Sequence, residues 1–163
     1  MAVVGGGNAG LEAAYDLTAY ADKIYLLVRS GELRGDAVTQ EQVKASPKVE
    51  IIFNTDIKAV SGEKFVKGLR YFDKVGSKEV DLAVDGVFVE IGSEPNSDLV
   101  KGLVTINQAG EIVVDHRTGV TSVPGIFAAG DVTDVKFKQN NIAVGDAIKA
   151  ALSAHEYICK CGA

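Results

Sequence analysis

A glycine-rich turn within the first ten residues is the feature that most restricts the fold of this chain. An apolar run at residues 2–4 leads directly into the pattern Gly5-x-Gly7-x-x-Gly10. Residues 8–21 follow, with apolar side chains at helical spacing. The order of strand, tight glycine turn and helix predicts a right-handed crossover unit, and such a unit requires a parallel sheet with helices packed against it.

The next segments continue the alternation of strand and helix. Residues 24–28 are apolar almost throughout, which is typical of a parallel strand covered on both faces. Residues 36–45 predict a second helix with Asp36 as its N-cap, and residues 49–53 predict a third buried strand. The first third of the chain therefore predicts a βαβαβ order in an α/β, Rossmann-like fold with a parallel sheet flanked by helices.

After residue 54, short runs in which apolar and polar residues alternate replace the order of buried strands and helices. Three of them, separated by turns that contain glycine, predict a three-stranded antiparallel meander at residues 55–60, 65–73 and 78–84. Residues 86–91 then predict one more buried strand, and the Gly-Ser-Glu-Pro-Asn stretch at 92–96 predicts a break and a hinge.

The last third of the chain predicts fewer regular elements. We expect strands at residues 111–114 and 126–129 and a long helix from about residue 141 to residue 158.

The composition excludes several classes of protein. Of the 163 residues, 47% are hydrophobic and 24% are charged, which is the balance of an ordinary globular domain. A net charge of -5 gives no basic surface for nucleic acid or for an anionic membrane. Because no apolar run is long enough to span a bilayer, we expect a cytoplasmic protein.

The glycine turn predicts a dinucleotide site. Gly5 would allow the tight turn, Gly7 would leave room for a pyrophosphate, and Gly10 would let the helix pack on the strand. The unpaired N–H groups of Asn8 and Ala9 would face the phosphate charge at the helix N-terminus. A glycine-rich turn without a ligand is the alternative, but the position between a strand and a helix favours the dinucleotide.

The end of the second strand bears on the choice of dinucleotide. An NAD site normally has an acidic residue here for the adenosine ribose, and this chain has Val28 followed by Arg29. Arg29, together with Arg34, could neutralise a 2′-phosphate, which favours NADPH over NADH. Glu32 lies nearby and opposes the preference for NADPH, so NADH and NADPH both remain candidates for the ligand.

The histidines and cysteines predict no catalytic or metal site. His116 lies in a polar loop and His155 on the last helix, so we expect neither to be catalytic. Cys159 and Cys161 fit no disulfide or zinc pattern, and we expect a reduced, solvated tail, with thiol chemistry or adventitious metal binding as the alternative.

Three motifs in a fixed order carry a resemblance to a known family. They are Val-Gly-Gly-Gly-Asn-Ala-Gly-Leu-Glu-Ala-Ala at residues 4–14, Ile-Gly-Ser-Glu-Pro-Asn at 91–96, and Thr-Ser-Val-Pro-Gly-Ile-Phe-Ala-Ala-Gly-Asp at 121–131. With them the whole chain resembles the thioredoxin reductase class of pyridine nucleotide-disulfide oxidoreductases. Residues 137–154 are also similar to the C-terminal helix of one group in that class, the flavoprotein subunits of alkyl hydroperoxide reductase.

The resemblance implies two domains and a set of cofactor-binding residues. Residues 1–93 would form the NAD(P)-binding domain, and residues 94–163 would be the C-terminal segment of a split FAD-binding domain. Asp131 would hold the ribityl chain, while Gln139 and Asn140 would lie near the pyrimidine edge of the flavin. The full set of expected cofactor-binding residues is Gly5, Gly7, Asn8, Ala9, Gly10, Arg29, Ile91, Gly92, Gly130, Asp131, Gln139 and Asn140.

The resemblance also implies an activity. Hydride would pass from NAD(P)H to FAD, and electrons would continue to a disulfide acceptor similar to thioredoxin or peroxiredoxin. The family carries a further GxGxxG motif for FAD and a Cys-x-x-Cys pair, and neither has a counterpart in these 163 residues.

We therefore expect a fragment that binds the dinucleotide, with little FAD binding or turnover of its own. We also expect apolar surface on residues 94–163, exposed or buried in a homo-oligomer. A flavin-independent dehydrogenase is a second alternative, and the motif at 121–131 counts against it.

Overall fold

A computed structural model of the protein describes the backbone of residues 1–161, and the thiol of Cys161 lies outside what it describes. The chain divides into two compact units, Met1–Gly92 and Ser93–Ala163.

A parallel sheet and an antiparallel sheet make up the first unit. The parallel sheet has the order β3-β2-β1-β7 and the antiparallel sheet the order β4-β5-β6. The seven strands are β1 (Ala2–Val4), β2 (Ile24–Leu27), β3 (Val49–Ile52), β4 (Thr55–Gly62), β5 (Val66–Asp73), β6 (Lys78–Ala83) and β7 (Val87–Val89). Both the Rossmann-like sheet and the meander are thus confirmed.

Two helices accompany the parallel sheet. Helix α1 (Asn8–Asp16) passes into a single 3-10 turn at Leu17–Ala19, so the predicted helix over residues 8–21 is shorter and less regular than expected. Helix α2 (Ala37–Ala45) begins where the sequence predicts, because the Asp36 carboxylate accepts hydrogen bonds from the backbone N–H groups of Val38 and Thr39.

Side chains of the parallel strands alternate between two apolar clusters, and this alternation creates a three-layer unit. Residues on one face of the sheet pack with both helices: Val3, Ile24, Leu26 and Val28 with Leu11, Ala14, Leu17 and Val43. Residues on the other face pack with the antiparallel sheet: Ala2, Val4 and Leu27 with Leu69, Tyr71 and Val84. The meander therefore covers the sheet face that the two helices leave open.

The second unit is mostly irregular chain against one long helix, α3 (Asn140–Cys161). The prediction of strands at residues 111–114 and 126–129 is wrong, because each segment pairs through single bridges. Ile112 bridges to Ile106 and Thr133, and Phe127 bridges to Val120. Within residues 1–161, no helix is long and apolar enough to cross a membrane.

Candidate functional site

Close backbone contacts at the β1–α1 turn (residues 5–7) and in the first turn of α1 exclude larger residues at Gly5 and Gly10. Gly5 has a φ of 138°, and a Cβ atom there would lie 2.0 Å from the carbonyl oxygen of Glu90. A Cβ atom at Gly10 would lie 2.2 Å from the carbonyl oxygen of Gly5, so only glycine lets α1 approach the turn this closely. Both positions are therefore glycine because of packing within the protein.

Gly7 differs from these two positions. It is the N-cap of α1 with a φ of −91°, which any residue can adopt, and a Cβ atom there would meet nothing within 4 Å. Its neighbour Gly6 is missed by the sequence pattern, yet a Cβ atom at Gly6 would lie 2.7 Å from Cγ1 of Val28. The protein itself thus gives no reason for the glycine at residue 7, and the space beside it is open.

The N-terminus of α1 leaves its positive end unneutralised. No side chain caps the helix, and its first turn contains no acidic residue. The first N–H groups of a helix have no partner inside the helix, and the helix dipole adds a partial positive charge at this end. This end of α1 is therefore suited to an anion.

A groove of about 600 Å³ lies along the carboxyl ends of the parallel strands in the first unit. This volume is within the range of small-molecule and cofactor sites, roughly 300–1,000 Å³. Of the expected site residues, five line the groove: Gly5, Gly7, Arg29, Ile91 and Gly92. Three others, Asn8, Ala9 and Gly10, lie on α1 next to the turn and are not part of the groove wall.

The antiparallel sheet and β7 also line the groove. Their residues include Thr55, Asp56, Ile57 and Val60 from β4, and Val87, Val89 and Glu90 from β7 and its end. The sequence did not single these out, because they lie 48 or more residues after the turn and belong to no recognised motif.

The β2–α2 loop (residues 28–36) contributes Val28, Arg29, Ser30, Glu32 and Arg34 to the groove. Within residues 1–161, neither arginine guanidinium has an ion pair or hydrogen bond. The carboxylate of Asp56 is different, since Lys58 lies 2.6 Å away, donates a hydrogen bond to it and lowers its pKa. Two positive charges therefore face the groove without a hydrogen-bonded protein partner.

In the second unit, the structure brings the expected flavin residues to one end of α3. Gly130 has a φ of 75°, and a Cβ atom there would lie 3.3 Å from Cβ of Ala143 in the first turn of α3. The carbonyl oxygen of Gln139 accepts the backbone N–H of Ala143 at 2.9 Å, which closes that turn. Asp131 follows Gly130 in a 3-10 turn (Gly130–Val132), so it lies close to the start of the helix.

The side chains of Asp131, Gln139 and Asn140 are exposed, and none of the three has a hydrogen bond or ion pair in the described part of the chain. All three polar side chains are therefore available to a ligand.

Lys138 holds this arrangement together and was not predicted from the sequence. Its ammonium group donates hydrogen bonds to the carbonyl oxygens of Asp131 and Thr133. It also forms an ion pair with Glu111 at 2.9 Å. Hydrogen bonds from Asn107 and Lys138 lower the pKa of Glu111, so this carboxylate stays charged.

Neither histidine is among the residues that line the groove, and the described residues contain no cluster of metal ligands. His116 lies 3.5 Å from Asp134 beside a cavity of about 10 Å³, which has room for no more than about one water molecule. His155 lies 3.7 Å from the exposed thiol of Cys159 on α3.

Comparison with known proteins identifies the family. The family model described as pyridine nucleotide-disulphide oxidoreductase matches residues 1–147. The chain belongs to the pyridine nucleotide-disulphide oxidoreductase family.

Relatives within the family match nearly the whole chain. It is 44% identical to an alkyl hydroperoxide reductase subunit of Pseudomonas putida over 100% of this chain and 31% of that protein. It is 41% identical to an NADH dehydrogenase of Bacillus subtilis over 98% of this chain and 31% of that protein. The chain thus spans less than a third of the length of these curated relatives.

Solved structures agree with this family assignment. Thioredoxin reductase of Lactococcus lactis superimposes with a TM-score of 0.84 at 29% identity, over 98% of this chain and 52% of that one. Thioredoxin reductase of T. acidophilum gives a TM-score of 0.80 at 34% identity, over 95% of this chain and 51% of that one. The likeness to the thioredoxin reductase class inferred from the three motifs is therefore confirmed.

Proposed function

We propose that this chain is the NAD(P)H-binding part of a flavin-dependent oxidoreductase. In the whole enzyme, hydride passes from NAD(P)H to FAD, and electrons continue to a disulfide of a thioredoxin-like or peroxiredoxin-like acceptor. The observation that carries the proposal is the uncapped N-terminus of α1, placed at a groove of cofactor size beside a glycine with open space where a side chain would be.

The binding mode follows from the charges around the groove. The pyrophosphate lies at the N-terminus of α1, where the N–H groups of Asn8, Ala9 and Gly10 face it and Gly7 leaves room for it. Ile91 and Gly92 follow the end of β7 and also line the groove. These residues bind features that NADH and NADPH share, so they do not discriminate between the two.

The β2–α2 loop favours NADPH over NADH. Arg29 and Arg34 line the groove without hydrogen-bonded protein partners, and an arginine guanidinium is well matched to a phosphate. No acidic residue follows β2 directly, so the usual acceptor for the ribose 2′-hydroxyl of NAD is absent from that position. Glu32 lowers the preference because it adds one negative charge to the same loop.

The second unit supplies part of the FAD site in this proposal. Asp131 would hold the ribityl hydroxyls, and Gln139 and Asn140 at the start of α3 would lie near the pyrimidine edge of the flavin. FAD bound there would supply the acceptor for hydride from the nicotinamide. The residues present fit this role, because their polar side chains are unpaired and the positive end of α3 stabilises negative charge on a reduced flavin.

Isothermal titration of the purified chain with NADPH and with NADH tests the proposal. We expect both to bind, NADPH more tightly. Arg29→Ala should weaken NADPH binding about tenfold, because a hydrogen bond to a charged group is lost, and should leave NADH binding nearly unchanged. Lys67→Ala is the matched control, since it removes an exposed positive charge outside the groove. Tighter binding of NADH than of NADPH would contradict the NADPH preference, and binding of neither would contradict the proposal as a whole.

A dinucleotide-binding chain without turnover is the second candidate. It is favoured by the groove, because residues of the first unit alone line it and none of the expected flavin residues is among them. An absorbance spectrum of the purified chain separates the two candidates. Flavin bands after gel filtration would exclude the binding-only function, and their absence together with measurable NADPH affinity would support it.

A further inference from the structure

We infer that Asn8 is a positioning residue that ties the β2–α2 loop to the glycine turn and thereby holds Arg34 where it selects for the 2′-phosphate of NADPH. The inference rests on the proposed function and deepens it. It gives Asn8 a different role from its neighbours Ala9 and Gly10, whose contribution is limited to their backbone N–H groups.

The side chain of Asn8 bridges two segments that lie far apart in the sequence. Its Oδ1 accepts a hydrogen bond from the backbone N–H of Asp36 at 2.7 Å, 28 residues away. Two residues earlier in the same loop, the backbone N–H of Arg34 donates to the carbonyl oxygen of Gly6 at 2.8 Å. Two short hydrogen bonds therefore attach the end of the β2–α2 loop to the β1–α1 turn, on either side of Gly35.

Gly35 shows how closely the loop approaches α1. A Cβ atom there would lie 2.3 Å from Cδ1 of Leu11 and 2.8 Å from Oδ1 of Asn8. The side chain of Gln40 also donates to the carbonyl oxygen of Gly35, but this bond joins the loop to α2 and not to the turn. Among the described side chains, Asn8 is thus the one that fixes the end of the loop to the start of α1.

The beginning of the loop is attached elsewhere. The carbonyl oxygen of Ser30 accepts the backbone N–H of Asn54 at 3.1 Å, and that of Arg29 accepts the ammonium group of Lys74 at 3.0 Å. Arg29 is therefore fixed independently of Asn8, whereas Arg34 lies next to the Asn8 attachment. Loss of the Asn8 acceptor should free the loop end beside Arg34, whose backbone keeps its bond to Gly6, and leave Arg29 in place.

The two dinucleotides should respond differently to this release. NADPH and NADH share the pyrophosphate, which faces backbone N–H groups that a side-chain substitution at residue 8 preserves. They differ in the 2′-phosphate, which the loop arginines recognise in the proposed function. A positioning role for Asn8 therefore predicts a change in the ratio of the two affinities, while a general role in folding predicts an equal loss of both.

The experiment is a double-mutant cycle on the full chain. Kd values for NADPH and NADH are measured for the unaltered protein, Asn8→Ala, Arg34→Ala and the double variant. We expect Arg34→Ala to weaken NADPH binding about tenfold, and Asn8→Ala about threefold to tenfold, with less than about twofold change for NADH in each case. The double variant should bind NADPH no more weakly than Arg34→Ala alone, because both substitutions remove the same contact.

A second measurement keeps the inference testable if Asn8→Ala loses stability. Hydrogen exchange of the Asp36 amide should accelerate in this variant, while the amides of β1 stay protected. Glu12→Ala, an exposed change on α1, is the matched control and should alter neither the affinities nor the exchange.

Equal weakening of both dinucleotides by Asn8→Ala would overturn the inference and leave the proposed function standing, as would additive losses in the double variant. Binding of neither dinucleotide by the unaltered protein would overturn both.

Discussion

Gly7 and Gly10 show what a sequence motif can and cannot predict at the scale of single residues. The spacing of the pattern correctly indicates a turn between a strand and a helix. It also predicts helix packing at Gly10 and space for a ligand at Gly7, but it does not reveal that the atom against which Gly10 packs is the carbonyl oxygen of Gly5. Both positions are glycine in the motif, but for different physical reasons. Packing within the fold requires glycine at residue 10, and in our proposal the space needed by the ligand requires it at residue 7.

Substituting alanine at each of these glycines separates the two reasons. Gly10→Ala places a methyl group 2.2 Å from a backbone oxygen, so we expect it to lower the free energy of unfolding by about 1–3 kcal/mol or more. Gly7→Ala meets no protein atom, and the loss of a favourable N-cap residue opposes the lower entropy of the unfolded chain, so stability should change by no more than about 1 kcal/mol. It should nevertheless weaken NADPH and NADH alike by blocking the pyrophosphate.

Chemical denaturation and dinucleotide titration of both variants provide the measurements. Unchanged affinity in a folded Gly7→Ala protein would show that the open space is not used by a ligand.

At the scale of helices and strands, the sequence predicts a strand correctly where the strands that pair with it show the same apolar pattern. The parallel strands and the meander of the first unit were predicted because each belongs to a series of similar apolar runs. The strands predicted at residues 111–114 and 126–129 do not form, although their side chains are equally apolar. An apolar run indicates that a segment is buried, but a strand also needs a neighbouring segment of similar length to pair with. Ile112 pairs only through isolated bridges to single residues. The Lys138–Glu111 pair was missed because no local motif links residues 27 positions apart.

The hydrogen bonds from Asn107 and Lys138 to Glu111 give the second unit a dependence on acid. The pKa of Glu111 is lower in the folded protein than its ordinary value of 4.5. A lowered pKa means that the stabilisation is fully present above pH 4.5 and is lost as the pH falls through the lower, folded value. Glu111→Gln should therefore lower the melting temperature near neutral pH and reduce its decrease on acidification below pH 4.5.

Thermal melts monitored by circular dichroism across this pH range check the prediction. Glu94→Gln, at an exposed position in the same unit, is the control and should preserve the pH profile of the unaltered protein. If Glu111→Gln lowers the melting temperature by the same amount at every pH, its effect has a cause other than the ionisation of Glu111.

At the scale of the molecule, one face of α3 in the second unit is left without a partner in the described chain. Val144, Ile148 and Leu152 follow one another at intervals of four residues, so they share a face of the helix, and they are 60%, 57% and 61% exposed. Isolated exposed apolar side chains are ordinary, but an aligned series on a protein surface marks an interface or an aggregation-prone face. Its presence matches the expected apolar surface on residues 94–163.

We expect this face to make the isolated chain self-associate or bind an apolar dye such as ANS. Ile148→Gln combined with Leu152→Gln should reduce dye binding and shift the sedimenting species towards monomer. The melting temperature should stay within a few degrees of the unaltered value, because surface substitutions of this kind change stability by about 0.5 kcal/mol or less. Leu99→Gln is the control, since Leu99 is 91% exposed in the same unit but lies outside α3. If the unaltered chain is a monodisperse monomer with no more dye binding than the double variant, the face has no affinity for apolar partners, and neither self-association nor burial in an oligomer follows from its exposure.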